Sequence, residues 1–183
     1  MERRSALKLI AIGSVAGQVP AQHAGHPSAA GAAEAAGELK FFSAAQNALV
    51  DRLAEMIIPA DDHSPGAQAA MVSRFIDGVL SAGGESDHTK WTAGLKAVEA
   101  EASTRFQKPF LECSADEQDQ IMAAMAENEE NPRGELDRFF VELKSRTISG
   151  YYTSQIGLLQ DLEYKGNVPL AEYPGCDHPE HQA

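Results

Sequence analysis

The sequence predicts an all-α protein, a compact bundle of five or six helices with an extended C-terminal tail. Three observations carry that prediction. Apolar residues recur at three- and four-residue steps in successive segments, as one buried helix face requires. Two of those segments open on capping boxes, Ser43-x-x-Gln46 and Ser114-x-x-Glu117. No alternating apolar run is long enough for a strand in a sheet. The chain has no internal repeat.

The first helix follows Phe41-Phe42, a pair placed to act as a staple, and carries Leu49, Leu53, Met56 and Ile57 on one face before Pro59 stops it. Asp61 to Gly66 reads as a polar turn. Ala67 to Ala82 reads as the second helix, with Val72, Phe75, Ile76, Val79 and Leu80 inward, and Gly83-Gly84 ends it. The third runs from about His88 to Phe106, with Trp91, Leu95, Val98, Ala102 and Phe106 at helical spacing, and closes before Pro109. The second capping box opens a helix with Ile121, Met122 and Met125 inward, and Asn131-Pro132 breaks it. Glu135 to Ser149 is strongly amphipathic through Leu136, Phe139, Phe140 and Leu143. At Gly150-Tyr151-Tyr152-Thr153-Ser154 the pattern changes, and the sequence leaves open whether the helix continues. Gly, Pro and charged residues dominate from Gly166 onward.

A chain of 183 residues with 43% apolar content holds one domain and a real core. Its net charge of -12 repels phosphate backbones and anionic lipid, which argues against nucleic-acid binding. No apolar run approaches the roughly 20 residues of a membrane-spanning helix, so membrane association is expected only through partners. The first residues are different in kind. Arg3-Arg4 open the chain, Leu7 to Ala16 form a short, diluted apolar stretch, and Val19-Pro20-Ala21 offers a small-residue cleavage site. Arg3-Arg4-Ser5-Ala6-Leu7-Lys8 resembles the twin-arginine consensus, with Ala6 where Phe is common. Residues 1–24 therefore read as a twin-arginine signal, 25–38 as an Ala/Gly-rich linker and 39–183 as the helical domain with its tail. The twin-arginine route moves folded proteins and implies a periplasmic destination.

The residue types for chemistry are few. Asp61, Asp62 and His63 share a turn and are candidates for acid/base or metal work, although acidic turn residues commonly bond backbone instead. Cys176, His178 and His181 offer one thiolate and two imidazoles to zinc, copper or iron, with Cys113 or His63 as a fourth ligand; the spacing matches no finger pattern. Cys113 and Cys176 are the disulfide candidates, paired with each other, or Cys176 with a partner, or left as free thiols. There is no GxGxxG, CxxCH or GxSxG motif, so neither a catalytic residue nor a cofactor-binding residue is assigned to this chain. Tyr151 and Tyr152 cannot both face one core from adjacent helix positions, which places one of them at a surface or partner contact.

Several blocks occur in a specific order: Ile57-Ile58-Pro59-Ala60-Asp61, Pro65-Gly66-Ala67, Phe75-Ile76-Asp77, then Phe139-Phe140-x-x-Leu143-Lys144-x-x-Thr147-x-x-Gly150-Tyr151-Tyr152-Thr153-Ser154. Leu162-x-Tyr164-x-Gly166 follows, leading to Gly175-Cys176. Together they resemble the gluconate 2-dehydrogenase subunit 3 family. The resemblance implies a small, non-catalytic helical subunit of a periplasmic sugar or alcohol dehydrogenase. The implied large subunit is an FAD-bearing flavoprotein of the glucose-methanol-choline type, and a cytochrome c subunit carrying haem c often completes such complexes. In several of them the small subunit alone has the export signal and takes the flavoprotein with it. On that reading Asp61, Pro65, Gly66, Tyr151, Tyr152 and Cys176 are the expected partner interface, and Arg3 and Arg4 the export signal. The rival reading is a periplasmic metal-binding protein using Cys176, His178 and His181.

Overall fold

The computed structural model describes residues 38–166. The expected export signal, most of the expected linker, and the expected tail with Cys176, His178 and His181 lie outside the described residues. Five α-helices follow in order: α1 (Ala44–Ile57), α2 (Val72–Ser81), α3 (Glu85–Phe106), α4 (Ala115–Ala126) and α5 (Glu135–Tyr152). A 3-10 turn (Phe110–Glu112) joins α3 to α4, and a π-turn (Gly157–Asp161) follows α5. The described residues contain no strand. None of these helices is long and apolar enough to cross a membrane.

Both capping boxes form. Ser43 accepts from the Gln46 amide while Gln46 accepts from the Ser43 amide at 2.9 Å, and Ser114 and Glu117 repeat the exchange. Each box satisfies backbone donors that the first helical turn otherwise leaves without partners. α5 is the central element, packing against α1, α2, α3 and α4. Its buried stripe is Phe139, Phe140, Leu143, Thr147, Gly150 and Tyr151. Gly94 on α3 lets the Phe139 ring lie directly on the α3 backbone, where any Cβ would collide with it. Trp91 meets the same ring edge-on at 5.3 Å and 86°. The rest of the core comes from Leu49, Val50 and Leu53 of α1, Ile76 and Leu80 of α2, and Ile121 and Met125 of α4.

Three parts of the sequence reading need correction. α2 begins at Val72, not at Ala67. Residues 67–71 are turns, closed by Ala67 N–H to Ile58 C=O (2.9 Å) and by Met71, a non-glycine residue at φ +54° that enters the helix from the left-handed region. Capturing that segment from α1 competes with continuing a helix through it: Glu55 accepts from the Gln68 amide at 2.8 Å, and Asp51 from the Gln68 side chain at 2.7 Å. Phe75 is 38% exposed on the outer edge of α2, not part of the core. α3 starts three residues before His88, at Glu85, where Glu85 and Asp87 favour the helix N-terminus. The open question at Gly150 resolves as helix, since α5 runs through both tyrosines to Tyr152.

A single carboxylate ties the start of the folded region to this frame. Asp77 of α2, 4% exposed, accepts from the backbone amides of Lys40 (2.9 Å), Phe41 (2.9 Å) and Phe42 (2.8 Å). Burial pushes its pKa up, but the three amide bonds outweigh that and hold it below the ordinary aspartate value.

Candidate functional site

The turn after α1 and the segment after α5 are far apart in sequence and meet in one hydrogen-bonded cluster. Asp61 shapes the turn from within. Its carboxylate accepts from the amides of His63 and Ser64, each at 2.8 Å, and its own amide donates to Ser64 C=O at 3.0 Å. This is an Asx-type turn. The Ser64 and His63 amides also hold the Asp61 carboxyl below its usual range. Gly66 follows because the chain passes so close to the Glu55 carboxylate and the Ala60 amide that a Cβ has no room. Glu55 closes this side by accepting from the Ala60 amide at 3.1 Å.

The turn so built presents Ser64, 7% exposed, to Tyr151, which is fully buried. The Tyr151 hydroxyl donates to Pro65 C=O at 2.6 Å and lies 2.9 Å from Ser64 Oγ. Ser64 Oγ in turn reaches Asp161 Oδ1 at 3.2 Å. Two hydroxyl protons thus serve three contacts, so the Ser64 proton is shared between the phenol oxygen and the carboxylate. His63 Nε2 is 2.9 Å from the Asp161 carbonyl oxygen and 4.0 Å from its carboxylate. The bond to that carbonyl raises the His63 pKa, with Asp161, Asp61 and Glu163 adding attraction. Tyr152 hydrogen-bonds Asp161 as well, which pushes its phenol pKa up. Tyr151 and Tyr152 meet edge-to-face at 5.2 Å.

The cluster contains Ser, His and Asp, yet the connections are wrong for a nucleophile. Ser64 bonds a carboxylate and a phenol, not the imidazole, and the imidazole engages a backbone carbonyl. What the arrangement does is lock two chain segments together. Asp62, also a candidate from the sequence, is exposed, and no group of three His, Cys, Asp or Glu among the described residues is arranged to hold a metal ion.

The structure therefore gathers Asp61, His63, Pro65, Tyr151 and Tyr152 in one place, with Gly66 beside them. Asp61 is exposed, Pro65 and Tyr152 are half-buried, and Gly66 and Tyr151 are buried. Cys113 is elsewhere, behind the 3-10 turn, where its thiol contacts Pro109 C=O at 3.5 Å and burial raises its pKa. Among the described residues Cys113 has no disulfide partner, and pairing with Cys176 falls outside them. Sequence reasoning missed Ser64, Asp161 and Glu55. Ser64 carried a weak signal, as the third residue after an Asp in a turn. Asp161 carried none, because only the fold after Tyr152 brings it back to the turn.

The family model of gluconate 2-dehydrogenase subunit 3 matches residues 44–169, more than half of the chain. The chain belongs to that family. No curated protein and no solved structure matches it. Family membership implies a multi-subunit dehydrogenase complex. It also gives the sequence blocks a physical meaning. Pro65 and Tyr151 come from two separate blocks and bond each other, and Asp77 of a third holds Phe41 and Phe42. Gly150 leaves the space into which Phe75 packs, where an added Cβ would sit 2.7 Å from the ring.

Proposed function

We propose that this chain is the non-catalytic small subunit of a dehydrogenase complex, which binds and stabilises an FAD-dependent large subunit of the glucose-methanol-choline type and is exported with it. The observation that carries the reading is the family match, which begins at the first residue of α1 and runs past the π-turn. The cluster around Tyr151 supports it, since its hydrogen bonds fix the shape of the surface where the turn after α1 meets the segment after α5. Arg3-Arg4 and the apolar stretch after them supply the reason a cofactor-loaded partner would travel with this chain: the twin-arginine route carries folded cargo. The complex then resides in the periplasm or at the periplasmic face of the inner membrane, with a cytochrome c subunit as the onward electron acceptor.

Replacing Arg3 and Arg4 by Lys in cells that make both subunits tests this. The expected result is that both proteins stay in the cytoplasmic fraction. Flavoprotein in the periplasm beside a retained small subunit would refute the co-export role.

A further inference from the structure

We propose that the segment Gly157 to Leu162 is the surface that reads the large subunit, with Leu159 and Leu162 inserted into an apolar recess bordered by Lys or Arg. This inference rests on the small-subunit reading above and assigns its interface.

Leu159 (52%) and Leu162 (55%) are the most exposed large apolar side chains among the described residues, three positions apart on one short turn. Exposed leucines on a loosely held loop need no explanation. These sit on a segment held from several sides. The Leu162 amide donates back to Gly157 C=O (2.9 Å), and the Leu158 amide to Ser154 C=O (3.0 Å). Ser154 Oγ accepts from the Gly157 amide at 3.0 Å and donates to Tyr151 C=O at 2.6 Å. Gly157 presses on the Tyr151 carbonyl so closely that no side chain fits there. Between the two leucines, Asp161 is gripped by His63 and Ser64. Glu163 then turns the chain at φ +47°, a left-handed conformation unusual for a non-glycine residue. A fold that immobilises a turn this thoroughly, yet leaves its two leucines in water, has prepaid the ordering cost of docking.

The charge around the turn selects the partner. Asp61 and Glu163 lie near enough to act on His63 together with Asp161 of the turn itself, and Lys165 follows close in the chain, so the net charge here is negative and a complementary face has an apolar centre and a basic rim. A second copy of this acidic chain would bring like charge to like charge.

The test is a titration of the purified large subunit with wild-type chain, the double variant Leu159→Asn/Leu162→Asn, and Leu111→Asn, which alters an exposed leucine on the 3-10 turn. The double variant is expected to bind at least about tenfold more weakly with an unchanged thermal midpoint. Leu111→Asn should bind as wild type does, and added salt should weaken wild-type binding. Equal binding by wild type and double variant overturns this surface and leaves the small-subunit reading standing. An equal loss with Leu111→Asn overturns it too. A concentration-dependent homodimer dispersed by the double variant would make the occupant a second copy and also overturn it. No binding by wild type removes both readings.

Discussion

Tyr151 carries two duties in one side chain. Its ring belongs to the buried stripe of α5, and its hydroxyl holds Pro65 C=O and Ser64 Oγ. Tyr151→Phe keeps the ring and removes the hydroxyl, leaving buried acceptors short of a donor. The expected cost is about 1–3 kcal/mol, read as a lower denaturation midpoint at constant slope. Asp77 gives a pH-dependent counterpart. Its folded pKa lies below its unfolded value, so its contribution is present above the unfolded pKa and is lost as pH falls through the folded one. Stability should decline on the acid side of about pH 4, the aspartate range. Asp77→Asn should be less stable at neutral pH and show a shallower acid decline in melts across pH, because one depressed carboxylate no longer titrates. An unchanged acid limb would show that the other depressed groups, such as Asp137 and Glu117, carry it alone. At this scale the sequence was partly legible. Adjacent helical tyrosines point about 100° apart, so one had to leave the core direction, and the spacing from Phe140 and Thr147 favours Tyr151 only if the helix continues through Gly150, which the sequence left open. The partners of its hydroxyl, Ser64 and Pro65, are distant in the chain and were not legible.

Among the elements, helix starts were legible where a side chain makes the cap. Ser43 and Ser114 announce α1 and α4 through contacts within four residues. The start of α2 was not, because Glu55 and Asp51 of another helix decide it by drawing Gln68 toward α1. α5 was legible as an amphipathic helix, while its last turn looked ambiguous for a physical reason. Gly150 is a poor helix former, kept here because Phe75 packs against it. Gly94 serves the same purpose at the other end of α5, under Phe139. Gly94→Ala improves intrinsic helix propensity yet drives a methyl group into that ring. Overpacking should win, with a net loss of about 1–3 kcal/mol. A thermal midpoint equal to or above wild type would mean that α3 and α5 can separate at little cost.

For the molecule as a whole, the fold class followed from periodicity and caps alone, and the family from the order of its blocks. The convergence of those blocks followed from neither. It needs α5 to run to Tyr152 and the chain to double back through Gly157 to Asp161, bringing the segment after α5 to the turn after α1. The acidic body and fixed turn fit a protein whose work is to be bound. The central claim is that its partner is a flavoprotein, and purification from cells making the complex tests it most directly. Affinity capture of this chain should bring down a larger subunit in fixed proportion, with the absorption spectrum of bound flavin. Recovery of the chain alone and colourless, from cells where the dehydrogenase is active, would contradict the account.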